Sequence, residues 1–188
     1  KERQEERKQK NISVTMCTPG HDAELATGFL FTEGIIRNRE DMLKCAAHEE
    51  AENSKGNIVV AELRPGIPFD PKKIERLFFT YSSCGVCGKS SIGAINSIID
   101  NPGTFDRILI SALLLSRLPD TLRKQQEVFE HTGGLHASAL FNLQGELLLS
   151  REDVGRHNAL DKLIGAALTA GNLPLENHIL LLSGRASF

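Results

Sequence analysis

Tryptophan is absent from this chain, tyrosine occurs once, at Tyr81, and aromatic residues make up only 5% of it. That scarcity argues against an aromatic-rich binding surface. No apolar run approaches the roughly 20 residues that a membrane-spanning helix needs. The formal charge is −2 at pH 7. Net charge therefore gives no case for nucleic acid or an anionic membrane, and an anionic ligand would have to be held by a local cluster. Four cysteines in 188 residues are too few for a disulfide scaffold. Residues 1–10 are charged and lack an apolar stretch, so they do not read as a secretory signal, and the cytoplasm is the expected compartment.

What is present is ordinary for a soluble protein: 40% hydrophobic and 24% charged residues in a length that fits one domain or two small ones. Residues 1–10 read as a solvated arm. Ile12, Val14 and Met16 alternate with polar residues, the period of a half-buried strand. Thr18-Pro19 reads as a cap followed by a first-turn proline. Asp22 and Glu24 suit the positive end of a helix dipole, Leu25 and Phe29 share a face, and Gly34 ends the helix. Residues 58–63 predict a strand closed by Pro65-Gly66. Asp70-Pro71 opens another helix, with Ile74, Leu77 and Phe78 inward. Residues 92–99 fit helix or strand, with helix preferred. Residues 111–118 and 122–129 predict two helices divided by Pro119.

The second half turns to sheet. Residues 135–141 and 147–150 flank Asn142-Leu143-Gln144-Gly145, which is hairpin chemistry. Leu160, Leu163, Ile164, Ala167 and Leu168 form one apolar helical stripe, capped by Gly171. Residues 178–182 are continuously apolar, as expected of a strand buried on both faces. The order predicts a two-lobed α/β (α+β) protein. Residues 11–68 would form a small N-terminal α/β lobe and residues 69–188 a larger one.

Two features carry chemistry. The first is Ser82-Ser83-Cys84-Gly85-Val86-Cys87-Gly88-Lys89, two thiols in a Gly/Ser-rich turn. Gly85 and Gly88 let the backbone turn sharply and approach another molecule. Turn N–H groups and Lys89 would lower a thiol pKa, and the thiolate is the reactive form. Four readings stand. A structural zinc site wants four ligands, and only His131 and His136 could complete it. A thioredoxin-like pair should follow a strand, whereas the preceding segment looks helical. A buried inert pair fits poorly with so much glycine and serine. Sulfur transfer, or another nucleophilic role, is the leading reading. Cys17 and Cys45 read as isolated thiols. A zinc deaminase is disfavoured, because His136-Ala137-Ser138 has serine where the general acid–base glutamate belongs.

The second feature is a set of three loops at element ends: Gly133, Gly134 and His136; Gly155, Arg156, His157 and Asn158, with Lys162 one turn further; and Ser183 with Arg185. Glycines allow close approach, a helix N-terminus favours phosphate, and arginine pairs with phosphate bidentately. Taken singly, Asp153 reads as a helix cap and Lys162 as a solvated lysine. The loops make a nucleotide site only if they converge.

These residues resemble the FdhD family, the formate dehydrogenase accessory sulfurtransferases. Four blocks carry the resemblance. They are Thr18-Pro19-Gly20-His21-Asp22-Ala23-Glu24-Leu25-Ala26-Thr27-Gly28-Phe29-Leu30 with Glu33-Gly34-Ile35-Ile36; Ser83 to Gly88; Thr132 to Ala137; and Arg151-Glu152-Asp153-Val154-Gly155-Arg156-His157-Asn158-Ala159-Leu160-Asp161-Lys162. Ser183-Gly184-Arg185-Ala186-Ser187-Phe188 looks like a fifth. The resemblance implies a carrier that takes sulfur from a cysteine desulfurase as a persulfide on Cys84, with Cys87 as its partner. The sulfur would pass to the molybdenum or tungsten bis(molybdopterin guanine dinucleotide) cofactor of formate dehydrogenase. It also implies guanine-nucleotide binding, with GDP as a surrogate, a homodimer, and a larger lobe of the cytidine deaminase-like fold. Residues 1–10 depart from the strand and turn usual in the family. Further strand, helix and cofactor-contacting segments are expected beyond Ser183-Gly184-Arg185. A zinc- or cofactor-binding chaperone and a thiol–disulfide oxidoreductase are the alternatives. No permanent cofactor or metal is expected, and neither nucleic acid nor membrane is an expected partner.

Overall fold

The computed structural model describes residues 9–48, 57–68, 108–126 and 133–185. Residues 1–8 of the expected arm, the helix expected from Asp70, the Cys84/Cys87 segment and residues 92–99 lie outside the described residues.

The described elements are α1 (Asp22–Thr32), a 3-10 turn (Arg39–Asp41), β1 (Met42–Ala47), β2 (Val59–Leu63), α2 (Ala112–Arg123), β3 (His136–Asn142), β4 (Leu147–Asp153), α3 (Arg156–Thr169) and β5 (His178–Leu182). They form two small antiparallel sheets, β1-β2 and β4-β3-β5. The mixed α/β class is as expected. Among the described residues no helix is long and apolar enough to cross a membrane.

α1 starts later than Thr18-Pro19 suggests. Gly20 and His21 both take left-handed backbone, φ 96° and 59°, before the helix begins at Asp22. Thr18 is held elsewhere by bonds described below. The helix ends as expected: Gly34 N–H donates to the Phe31 carbonyl and Ile35 N–H to the Leu30 carbonyl. Gly34 supplies the positive φ, 69°, that this double bonding requires. Ile35 then packs beside Leu30 in a cluster with Ile36 and Leu168, which Met42, Ala61 and Leu63 of the small sheet cover.

The expected strand over residues 12–16 does not form. Ile12 touches that cluster, but Val14 and Met16 are 89% and 85% exposed. Its alternation points these side chains into water, and among the described residues no strand pairs with it. Conversely, β1 carries no alternating signal; its pairing with β2, Met42 opposite Leu63 and Cys45 opposite Ala61, makes it a strand.

The hairpin is as read. Gly145 turns at φ 83°, and the Asn142 carboxamide oxygen accepts from the Gln144 and Glu146 N–H groups. β3 is the middle strand, with Leu140 opposite Leu149 on one side and Leu180 on the other. Its Ala137, Ala139 and Phe141 meet Leu118 and Leu122 of α2 in a second cluster. That contact explains Pro119. Two helices were expected around it, yet α2 runs through the proline. A continuous helix keeps Leu118 and Leu122 one turn apart on the buried face, and this burial outweighs the one backbone bond that proline lacks. β5 is a correction too: it lies at the edge of the described sheet, and Leu180 is 47% exposed.

α3 packs on α1 and against β3 and β4. It buries Ala159, Lys162, Leu163, Gly165, Ala166, Ala167 and Leu168, a wider face than the apolar stripe suggested. Gly171 closes it at φ 74°, with Asn172 N–H donating to Ala167.

Asp161 lies at the α1–α3 contact and accepts from the Thr32 hydroxyl at 3.0 Å. Burial lifts its carboxyl from 3.8 to about 7, the Thr32 bond opposes this, and the Glu33 charge adds to it. The folded state therefore holds this proton more tightly than the unfolded chain does. The associated stability is complete below pH 3.8 and lost as pH rises through about 7. Asp161→Asn keeps an acceptor for Thr32 and removes the charge. It should gain on the order of 2 kcal/mol at pH 8 and little at pH 4. Urea unfolding at the two pH values checks this; equal gains at both would refute it.

Candidate functional site

The described loops do converge. β3 begins at His136, paired opposite Asp153 at the end of β4. Ser183, just past β5, extends that ladder: its N–H donates to the Ala137 carbonyl at 2.9 Å, and its Oγ accepts the Ala137 N–H at 2.7 Å. Gly184 then passes close to both other loops. A Cβ there would lie 3.2 Å from His136 Nδ1 and 3.4 Å from Arg156 Cβ. His136, Arg156 and Gly184 thus form one junction at the N-terminus of α3.

Within the junction, Arg156 Nε is buried with no hydrogen-bond partner among the described residues. An orphaned buried guanidinium donor is costly and calls for an acceptor from outside. His157 is half-buried; burial, then the Arg156 charge, lowers its pKa, so it favours the neutral imidazole. Gly155 is the residue before α3 and carries no side-chain cap. Gly133, at φ 65°, and Gly134 are exposed at the mouth of β3. Arg185 is exposed.

Two assigned residues point inward. The Lys162 ammonium lies 2.8 Å from Asp153 Oδ2, with side chains 1% and 0% exposed. Its other oxygens are the carbonyls of Thr18 at 2.7 Å and Glu152 at 3.5 Å. The reading of Lys162 as a solvated lysine is therefore corrected: a buried ammonium needs such a set of oxygens. Asn158 donates to Asp153 Oδ1 at 3.0 Å and to the Met16 carbonyl at 2.8 Å. Asp153 is not the residue that caps α3; it accepts from Gly155 N–H at 2.8 Å and from Thr18 N–H at 3.0 Å.

Sequence reasoning missed this network. Thr18 had been read as a helix cap, and nothing local ties it to Asp153, 135 residues away. The signal available was the joint presence of the first and fourth blocks. A second link joins them: Arg151 grips the Glu24 carboxylate with Nε at 2.5 Å and Nη2 at 2.8 Å. Burial pushes Glu24 up, but Arg151 and His21 outweigh it and hold the carboxyl below its usual range.

Of the thiols, Cys17 and Cys45 are free and half-buried. Burial raises the Cys17 pKa, with the charges of Asp153 and Asp22 adding to it. Burial also raises Cys45, whose Sγ lies 3.5 Å from the Ala23 carbonyl. Cys84 and Cys87 lie outside the described residues.

A match to the FdhD/NarQ family covers residues 6–188, and the chain belongs to that family. It is 48% identical over 180 residues to the sulfur carrier protein FdhD of Mycolicibacterium paratuberculosis, covering 94% of this chain and 66% of that protein. The protein of the same name from Streptomyces avermitilis is 45% identical over 187 residues, covering 95% and 65%. That of Sulfolobus acidocaldarius is 41% identical over 181 residues, covering 96% and 65%. The chain thus spans just under two thirds of these curated relatives. The crystal structure of a candidate formate dehydrogenase accessory protein from Desulfotalea psychrophila has a similar fold, with a TM-score of 0.55 and 22% identity. That likeness covers 91% of this chain and 56% of that one.

Proposed function

We propose that this chain is a sulfur carrier for the maturation of formate dehydrogenase. The observation that carries the reading is the Cys84/Cys87 pair in its Gly/Ser-rich sequence, in a chain whose curated relatives are named sulfur carriers. Burial raises the pKa of Cys17 and of Cys45, which disfavours their thiolates at neutral pH and speaks against either as the carrier.

The Cys84 thiolate attacks the outer sulfur of a persulfide on a cysteine desulfurase. A new S–S bond forms at Cys84, the donor's S–S bond breaks, and the donor leaves as its thiolate. No net oxidation occurs. The Cys87 thiolate then attacks the Cys84 sulfur. A Cys84–Cys87 disulfide forms, the persulfide S–S bond breaks, and the outer sulfur leaves as sulfide for the molybdenum or tungsten bis(molybdopterin guanine dinucleotide) cofactor, which is the substrate. A cellular dithiol then reduces the disulfide. The buried Nε of Arg156, unpartnered among the described residues, on a side chain whose Cβ meets Gly184, supports a site for the anionic guanine-dinucleotide end of that cofactor. The uncapped first turn of α3 offers further N–H donors to phosphate. In this reading Gly133, Gly134, His157, Ser183 and Arg185 line the same site. A deaminase-like larger lobe, with which the order α2, hairpin β3–β4, α3, β5 is compatible, and cytoplasmic homodimers complete the proposal.

Intact mass decides the carrier role. After incubation with desulfurase and cysteine, the wild type should gain about 32 Da. Cys84→Ala should gain nothing. Sulfur uptake by Cys84→Ala at the wild-type level would falsify the assignment.

A further inference from the structure

We infer that Thr18 is a positioning residue for the ligand site at Arg156, which it serves without touching the ligand; this rests on the proposed guanine-nucleotide reading of that site. Three groups of Thr18 bind the stretch that runs from the end of β4 into α3. Its N–H donates to Asp153 Oδ2 at 3.0 Å. Its hydroxyl accepts from Val154 N–H at 3.0 Å, and its carbonyl accepts from Lys162 at 2.7 Å. The neighbouring Met16 carbonyl takes the Asn158 amide at 2.8 Å.

These bonds hold the turn from Asp153 to Gly155 that leads into α3. The turn has little play. A Cβ on Gly155 would lie 3.0 Å from Asn158 Nδ2, so Gly155 already packs on the side chain that reaches Met16. The next residue is Arg156, whose Cβ lies 3.4 Å from a Cβ built on Gly184 and whose Nε is buried without a partner among the described residues. The direction of the Arg156 side chain therefore depends on a backbone that Thr18 holds from the N-terminal segment. The same geometry gives Asn158 and Lys162 a role behind Arg156: their donors are already spent on Asp153, Thr18 and Met16. Val14 and Met16 are exposed, so their side chains take no part in fastening the segment here; the Met16 carbonyl and the three groups of Thr18 do.

Thr18→Val keeps the shape and deletes the hydroxyl acceptor; Thr18→Ser restores it. With GDP as the probe in calorimetry, Thr18→Val should weaken binding about tenfold, while Thr18→Ser stays near wild type. A ligand-free readout runs in parallel. The Arg156 Nε–H resonance, assigned by its loss in Arg156→Lys, should shift in Thr18→Val and return in Thr18→Ser. Thr18→Ala replaces the valine variant should that one not fold. A lower melting temperature with unchanged GDP affinity and an unmoved resonance means that Thr18 is only structural, and the inference falls. If the wild type takes no GDP, the nucleotide reading falls, and the resonance alone decides the positioning role.

Discussion

Alanine at Gly28 should destabilise the protein by about 3 kcal/mol or more. At an open helix position the same change would stabilise it by about 1 kcal/mol, because alanine is the better helix former. The sign is reversed here by the way α1 crosses α3. A Cβ on Gly28 would overlap the Asp161 carbonyl carbon and oxygen, and a Cβ on Gly165 would overlap the Glu24 carbonyl and approach the Gly28 nitrogen. All of these are backbone atoms, so no side-chain rotation relieves the clash. The helices would have to move apart. That would loosen the Leu30–Leu168 contact, the Arg151–Glu24 fork and the Thr32–Asp161 bond together. In urea the midpoint should fall by about 1–2 M with an unchanged slope. Gly165→Ala should behave alike, and the double variant should cost less than the sum, since one separation accommodates both methyls. A Gly28→Ala protein as stable as the wild type would mean that the two helices do not pack this closely.

The two glycines show what a single sequence conceals. Gly28 and Gly165 each sit inside a helical pattern, and neither reveals from its own surroundings that the other lies against it. Elements whose signal is local were legible: the Asn142 to Gly145 turn, the glycine closures of α1 and α3, and the apolar stripe of α3. Elements decided by a distant partner were not. β1 became a strand because β2 pairs with it, residues 12–16 have no pairing strand among the described residues, and Pro119 stayed helical because Leu118 and Leu122 pack together against β3. The site divides the same way. The three loops could be named from glycine, histidine and arginine at element ends, and they do meet at Arg156 and Gly184. Their support could not be named. A lysine between Asp161 and Leu163 looks solvated until Asp153 and the Thr18 carbonyl are found around it.

That support gives the second large effect. Asp153 and Lys162 form an ion pair with almost no exposure, and removing one partner leaves a buried charge without its counterion. The two losses should differ. When Lys162 becomes methionine, Asp153 still accepts from Thr18 N–H, Gly155 N–H and the Asn158 amide, which are three charge-assisted bonds. When Asp153 becomes alanine, the ammonium keeps only carbonyl oxygens, and those three donors lose their acceptor as well. Lys162→Met should therefore cost about 3 kcal/mol and Asp153→Ala nearer 5 kcal/mol. Combining the two removes the stranded ammonium but not the stranded donors, so the double variant should recover part of the Asp153→Ala loss and not all of it. Urea midpoints for the four proteins measure both the asymmetry and the coupling. Equal and additive losses would mean that Asp153 and Lys162 act independently, and that the Thr18 segment is not fastened through their pair.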